Sequence, residues 1–200
     1  MKEIHKASKN LSSVLIQLSD NLELTERMKT ECSQQILKIA ELLIETFEND
    51  GKVLLCGNGG SAADAQHLAC ELVVKLKEER RAMPALALSV NLPILSAVSN
   101  DIGFEQAFSR QVEALGRKGD VLVAISTSGS SKNVILAAKR AKEMDLLVVA
   151  FTGEGGRELS SIADLPLMIP SLDTQRIQEG YMLAGHIICG LIEKAFKGKG

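Results

Sequence analysis

Two of the chain's three histidines stand where they could share a chemical task with a carboxylate. His67 and Glu71 are four residues apart in a segment with helical periodicity, so they lie one turn apart on the same helix face. Such a pair can bind one metal ion, or place a base beside a ligand. His186 lies in an almost wholly apolar helical segment, where a lone histidine is more often a buried core residue than a functional one.

A glycine-rich loop, Cys-Gly-Asn-Gly-Gly-Ser at residues 56–61, precedes the His67–Glu71 pair. Its glycines let the backbone approach a ligand closely, and the helix that follows offers free N–H groups to an anion. It is not a Walker A loop, because no Gly-Lys-Ser/Thr follows. A dinucleotide site would need an acidic residue after the second strand, where the chain has Ser89-Val90-Asn91. Glycines at such a turn are also common for turn geometry alone.

A second loop, Ser-Thr-Ser-Gly-Ser-Ser at residues 126–131, carries five hydroxyls between an apolar run and a helical segment. Helix capping explains one of these hydroxyls and leaves four over. A cradle of hydroxyls and backbone N–H groups can hold a phosphate group without a cation. The loop therefore predicts a site for a phosphorylated small molecule.

The final helical segment carries Gln178 and His186, eight residues apart. They point to similar sides of the helix, but the rise between them is about 12 Å. They can meet at one ion only if their side chains reach toward each other or come from different subunits, and both alternatives stay open. Glu71 lies in the otherwise apolar run 68–74, where an unpaired carboxylate would be costly to bury.

Alternating strands and helices must position these residues. The β-rich runs cover residues 52–56, 85–89, 121–126, 146–152 and 165–170, and helical segments cover residues 61–77, 93–98, 104–115, 131–144, 156–162 and 174–195. Strands that are apolar on both faces and alternate with helices indicate a three-layer α/β fold with a five-stranded parallel sheet. No change in composition marks a second domain, so we expect a single domain over residues 1–200.

Residues 1–50 are predicted to form an N-terminal helical segment, which is more helix than a five-stranded sheet needs for cover. Leu11, Val14, Leu15 and Leu18 recur at helical spacing in its first half. These stripes either pack on the sheet or lie in an oligomer interface, and the sequence favours neither.

The composition excludes several classes of function. The chain has 200 residues, of which 46% are hydrophobic and 24% charged, with a formal net charge of −2. A nucleic-acid partner is not expected, because there is no basic excess and aromatic residues make up only 3%. No apolar run is long enough to span a membrane. The four cysteines form no CxxC pair, which favours free buried thiols in a reducing cytoplasm.

Several motifs occur together in a specific order: Gly57-Asn58-Gly59-Gly60-Ser61, Asp64-Ala65-Gln66-His67 with Glu71, Ser99-Asn100-Asp101, Ser126-Thr127-Ser128-Gly129 with Ser131, and Arg176-Ile177-Gln178-Glu179 followed by His186. In this combination the chain resembles the sugar isomerase (SIS) domain family, and within it the bacterial phosphoheptose isomerases, over nearly its whole length.

The resemblance implies a homotetramer whose active sites are shared between subunits. It implies an aldose–ketose isomerase that converts sedoheptulose 7-phosphate to D-glycero-D-manno-heptose 7-phosphate, the first step toward ADP-heptose for lipopolysaccharide. Glu71 and His186 would share the proton transfers, and one zinc ion per subunit would be held by His67, Glu71, Gln178 and His186. Substrate-binding positions would be Asn58, Gly59, Gly60, Glu71, Asn100, Asp101, Ser126, Thr127, Ser128, Ser131 and Gln178.

Two segments depart from the family pattern. Val74-Lys75 stands where the family commonly has Gly-Arg, and lysine cannot reproduce the bidentate fork of arginine. Asn91-Leu92-Pro93 replaces a segment that usually begins with Asp and small hydroxyl residues. One alternative is therefore an isomerase of a related phosphosugar. A second is a non-catalytic SIS regulator of the type that associates with the replication initiator, which lacks a histidine at the position of His186.

Overall fold

The core of the fold is one parallel sheet of five strands. The structure, a computed structural model, describes residues 2–198, with side chains for residues 10–156 and 158–198. The strands are β1 (Val53–Cys56), β2 (Ala85–Ala87), β3 (Val121–Ile125), β4 (Leu147–Gly153) and β5 (Leu165–Ile169). They stand in the order β2-β1-β3-β4-β5, so the chain reverses its direction of progress across the sheet between β1 and β3. Ligands of open α/β sheets bind at such a switch point.

Helices cover both faces of the sheet. In the described part of the chain they are α1 (Lys2–Glu31), α2 (Ser33–Glu48), α3 (Gly59–Val73), α4 (Leu92–Asp101), α5 (Ser109–Leu115), α6 (Lys132–Glu143), α7 (Arg157–Ile162) and α8 (Thr174–Phe196), with a 3₁₀ turn at Phe104–Gln106. Alternate strand residues serve two separate cores: Val53 and Leu55 face the layer of α2, α3 and α8, whereas Leu54 and Cys56 face the layer of α5 and α6. The predicted three-layer α/β fold is confirmed.

The two N-terminal helices differ in how they pack. Helix α2 buries Ile39, Leu43 and Phe47 against the body of the subunit. Helix α1 buries only its second half, through residues such as Leu24 and Met28. Its first half exposes a stripe of large apolar side chains, which we call the α1 stripe: Leu11, Val14, Leu15, Leu18 and Leu22. Packing on the sheet layer therefore accounts for α2 and leaves the α1 stripe mostly exposed in one subunit.

Helix α3 ends at Val73, four residues before the end that the sequence predicts. A distant carboxylate stops it, because the buried side chain of Glu193 on α8 accepts the N–H groups of Leu76 and Lys77. Arg80 completes the turn by donating to the carbonyl oxygens of Glu71 and Val74. The chain therefore leaves the helix where these two charged groups hold its backbone.

Two expectations from composition can be compared with the described residues. Cys32, Cys56 and Cys189 are buried free thiols as predicted, and burial raises the pKa of Cys56 and of Cys189 to about 12. The prediction was wrong for Cys70 on α3, which is exposed. Among residues 2–198, no helix is long and apolar enough to cross a membrane.

Candidate active site

Helices α3 and α8 lie side by side, and this contact brings the predicted catalytic residues together. Gly185 makes the approach possible, because a Cβ atom there would lie 2.7 Å from a methyl carbon of Leu68. Each of these residues is the chain neighbour of a histidine. His67 and His186 therefore meet across the helix pair, with their Nε2 atoms 2.9 Å apart and their ring planes at 77°.

Glu71 completes a cluster of three polar side chains on this helix pair. Its Oε1 atom lies 3.5 Å from Nε2 of His67, one helical turn earlier on α3. Nitrogen or oxygen atoms of His67, Glu71 and His186 all lie within 4.8 Å of one another. Glu71 is largely shielded, with a side chain 17% exposed, whereas that of His67 is 48% exposed. The structure thus places the carboxylate of Glu71 and the imidazole of His186 in one cluster within a single subunit.

The three side chains have the chemistry of a metal site. Two imidazoles and one carboxylate are the donor set of many catalytic zinc sites, which keep a further position for water or substrate. Neighbouring donors of a tetrahedral zinc ion with bonds of about 2.0–2.1 Å lie roughly 3.3 Å apart. The spacings of 2.9 Å and 3.5 Å within the cluster bracket that value. The residues fit a divalent metal ion.

Gln178 lies at a different level of the same helix pair. Its Nε2 atom donates a hydrogen bond of 2.6 Å to Oδ2 of Asp64, one turn before His67 on α3. Its amide rests on Gly60, where a Cβ atom would lie 2.4 Å from Nε2. Helices α3 and α8 run in the same direction, so Gln178 meets the start of α3 while His186 meets its middle. The role of Gln178 as a fourth metal ligand stays a prediction.

Burial and hydrogen bonds act in opposite directions on Asp64. Burial raises the pKa of its carboxyl above the usual value, although hydrogen bonds from Gln178 and Tyr181 favour the charged form. The fully buried Tyr181 hydroxyl also lies 2.8 Å from Oγ of Ser61. Asp64 therefore belongs to a network that ties the first turns of α3 to α8.

The glycine-rich loop and the hydroxyl loop are neighbours in the sheet. Their strands pair in register, with Cys56 opposite Ala124, so both loops begin at the same edge. A reciprocal pair of amide hydrogen bonds, each 2.8 Å, joins Asn58 of the first loop to Asn133 on the first turn of α6. Asn133 is 3% exposed. This buried pair fixes the spacing between the two loops.

The hydroxyl loop forms a cluster at the start of α6. Ser131 stands at the capping position, yet its side chain does not cap the helix. Its Oγ atom lies 3.1 Å from Oγ of Ser126, which is 3.5 Å from Oγ of Ser128. Capping is thus not the role of this hydroxyl in the structure. The cluster and the free N–H groups at the start of α6 can accept a phosphate group.

Asn100 and Asp101 pair with each other in the subunit. They end helix α4, their side chains are exposed, and Asn100 donates to Asp101 over 2.7 Å. Within the described residues, no hydrogen bond joins either of them to the other predicted site residues. Their part in a site needs either the substrate or a second subunit between them and the loops.

The two departures from the family pattern have local structural roles. Asn91 caps α4 by accepting the N–H of Ile94, and Pro93 stands in the first turn of that helix. Lys75 forms an ion pair with Glu79 one turn later. The first departure is therefore a helix start, and the second places a paired cation near the end of α3.

Sequence reasoning missed two residues of the site. Asp64 and Asn133 each hold a predicted site residue through its side-chain amide. Asp64 lies in one of the quoted motifs, but its partner is 114 residues away, and the partner of Asn133 is 75 residues away. No local pattern carries such a pairing.

Comparison with known proteins gives consistent matches. The family model described as SIS domain matches residues 18–153. A phosphoheptose isomerase from Clostridium acetobutylicum is 45% identical over 185 residues, which cover 92% of this chain and 94% of the relative. The solved phosphoheptose isomerase from Neisseria gonorrhoeae is 40% identical with a TM-score of 0.86, and that from Francisella tularensis is 34% identical with a TM-score of 0.89. Each alignment covers 92% of this chain and 98% of the solved one.

Proposed function

Because this chain belongs to the SIS domain family, and its relatives at 45–52% identity are phosphoheptose isomerases, we propose that it isomerises sedoheptulose 7-phosphate to D-glycero-D-manno-heptose 7-phosphate. The observation that carries the proposal is the meeting of Glu71 with His186 on one helix pair. The reaction makes this protein an aldose–ketose isomerase. Residues 1–200 form a single SIS domain in this proposal.

The phosphate end of the substrate binds at the hydroxyl loop. Ser126, Thr127, Ser128 and Ser131 donate hydroxyl hydrogen bonds to the phosphate oxygens, and the N-terminus of α6 adds backbone N–H groups and a favourable dipole. Asn58, Gly59 and Gly60 belong to the neighbouring loop, and in this proposal they bind the sugar hydroxyls. The Asn58–Asn133 pair supports this assignment, because it holds both loops at one spacing.

The carbonyl end of the sugar lies at the His–Glu cluster. Glu71 takes a proton from C1 of the ketose while His186 gives one to O2, which leaves an enediol. Return of a proton to C2, with loss of one from O1, produces the aldehyde at C1. The two steps move two protons and require no external oxidant. The shielded position of Glu71 supports the assignment, because few water molecules can reach the carboxylate and compete with the substrate for it.

His67, Glu71 and His186 hold one zinc ion per subunit in this proposal, with Gln178 as a fourth ligand. When bound, the ion polarises the substrate oxygens and stabilises negative charge on them as a Lewis acid. A carboxylate fully engaged by a metal ion is a poor base, so Glu71 alternates between ligand and base. The donor set and its spacing support the metal site.

We propose that four chains form a homotetramer through the α1 stripe and that Asn100 and Asp101 complete the site of a neighbouring subunit. A run of exposed leucine and valine side chains is unusual on the surface of a lone subunit. Asn100 and Asp101 are exposed, and neither makes a hydrogen bond to the two loops in the described part of the chain, which supports a shared site.

Leu18→Glu is expected to convert the tetramer into smaller species, because it places a charge in the middle of the α1 stripe. The side chain of Leu18 is 64% exposed in one subunit, so the change costs the isolated fold little. Light scattering after size exclusion measures the mass. Ser13→Glu, on the opposite face of the same helix, is the control and should leave the mass unchanged. A wild-type chain that runs as a monomer would contradict the proposal.

The alternatives differ in substrate or in catalysis. Lys75 stands where the family commonly has arginine, and its single cation is already paired with Glu79. A contact that arginine would make to the substrate is therefore absent, which is consistent with a related phosphosugar as the preferred substrate. A non-catalytic regulator of the replication-initiator type is disfavoured, because His186 is present and stands in the cluster. We place the enzyme in the cytoplasm, at the first step of ADP-heptose synthesis for lipopolysaccharide, where its phosphorylated substrate is made. The proposal includes no nucleic-acid and no membrane partner.

The decisive experiment is an isomerase assay on the purified protein. We expect conversion of sedoheptulose 7-phosphate, loss of activity after treatment with a chelator, and recovery on addition of zinc. Other ketose phosphates assayed in parallel measure the preference among substrates. Turnover of another ketose phosphate alone would favour the related-phosphosugar alternative, and no turnover of any would favour a regulator.

A further inference from the structure

Asp64 accepts a hydrogen bond from the side-chain amide nitrogen of Gln178, the predicted fourth ligand. This contact can set the orientation of the amide. The hydrogen bond of 2.6 Å runs from Nε2 of Gln178 to Oδ2 of Asp64. The other amide atom, Oε1, accepts no hydrogen bond from a described residue. Asp64 stands on α3 one turn before His67, so this contact lies next to the His–Glu cluster along the helix.

An ionised carboxylate only accepts hydrogen bonds, so it distinguishes the two ends of an amide. Facing Asp64, the Nε2 group of Gln178 makes a charge-assisted hydrogen bond, whereas the Oε1 atom would meet a second oxygen and be repelled. The amide packs directly over Gly60, where a Cβ atom would lie 2.4 Å from Nε2 and 2.8 Å from Oε1. Asp64 therefore selects the orientation in which the oxygen of Gln178 is the free atom. Hard and borderline cations bind that oxygen and not an amide nitrogen.

We infer that Asp64 is a positioning residue: it holds the Gln178 amide so that its oxygen is presented to the divalent ion of the His67–Glu71–His186 cluster. The inference rests on the proposed function and adds to it the group that orients the fourth ligand. Outer-shell hydrogen bonds of this kind typically change metal affinity about 10–100-fold when they are removed.

Asp64→Asn is the test, because asparagine has nearly the same shape and can donate to Oε1 as well as accept from Nε2. Zinc affinity is measured by competition with a chromophoric chelator, and the unfolding temperature is recorded for each variant. We expect zinc binding about 10-fold weaker or more in Asp64→Asn, and partial recovery in Asp64→Glu, which restores a carboxylate. Asp173→Asn is the matched control. It replaces the capping carboxylate of α8, which accepts from Gln175 and Arg176, with an amide that caps a helix about as well, and should leave both the unfolding temperature and the zinc affinity nearly unchanged.

A double-mutant cycle shows whether Asp64 acts through Gln178. In the Gln178→Ala background, Asp64→Asn should weaken zinc binding no further. Equal weakening in both backgrounds, or zinc affinity in Asp64→Asn within twofold of the wild type, overturns the inference. These results can be distinguished from a failure of the proposed function. A wild type that binds zinc but isomerises no sugar phosphate refutes the activity, and the double-mutant cycle on zinc affinity can still be measured. A wild type that binds no zinc refutes the metal site and this inference together.

Discussion

Glu71→Gln is expected to lower kcat for sedoheptulose 7-phosphate by about 10²–10⁴-fold, the usual contribution of a general base. Glutamine keeps the shape of the side chain and can still contact His67, but it cannot accept the proton from C1. KM should change little, because the phosphate end is proposed to bind at residues 126–131, which the substitution does not touch. The loss should therefore appear in kcat and in kcat/KM alike.

The measurement follows the aldose product under saturating substrate, with the zinc content of each preparation determined beside it. Zinc content separates loss of a base from loss of a ligand: a variant that retains zinc and has lost turnover identifies Glu71 as the base. Glu79→Gln is the matched control, since this carboxylate is exposed and pairs only with Lys75 in the described structure. Glu79→Gln should keep wild-type turnover. Turnover of Glu71→Gln within a few-fold of the wild type would refute its catalytic role.

The sequence predicted the sheet and its two loops because the signals for them are local. Each of the five strands is a short apolar run, and the parallel arrangement follows from burial on both faces. The glycine-rich and hydroxyl loops directly follow strands, so their place at the carboxyl edge needed no knowledge of distant contacts. The resemblance to the SIS family added the roles of individual residues, which spacing alone left open.

Features set by distant partners could not be predicted in this way. The end of α3 depends on Glu193, which contacts residues 76 and 77 from the far end of α8. Periodicity continues beyond Val73 in the sequence, so the helix was predicted too long. The pairs Asn58–Asn133 and Asp64–Gln178 likewise join segments far apart in the chain.

The sequence left open whether Gln178 and His186 of one subunit can meet at one ion, and the structure shows where each of them lies. Both side chains face α3, and their separation of eight positions places Gln178 at its start and His186 beside His67. Three candidate ligands meet within one subunit, whereas the side chain of the proposed fourth, Gln178, is hydrogen-bonded to Asp64. The close approach depends on Gly185 and Gly60, small residues whose purpose appears only when the facing helix is known.

His186→Ala is expected to remove turnover to a similar degree and, in contrast to Glu71→Gln, to respond to added imidazole. The substitution deletes the proposed acid for O2 and one nitrogen donor of the cluster. His186 also lines a cavity of about 700 Å³ together with Leu76, Ile187 and Lys194. A free imidazole molecule can therefore reach the space that the side chain leaves. Packing of the helix pair should survive, because Gly185 and Leu68 are unchanged.

The assay compares His186→Ala, Glu71→Gln and the wild type over a series of imidazole concentrations at constant pH and zinc. Turnover of His186→Ala should rise with imidazole and saturate, because the small molecule supplies both the proton donor and the missing nitrogen. Glu71→Gln should gain nothing, since imidazole replaces no carboxylate, and the wild type should be unaffected or weakly inhibited. Full turnover of His186→Ala without imidazole would remove this histidine from the mechanism. Equal rescue of both variants would show that imidazole acts from solution, without occupying the vacated position on α8.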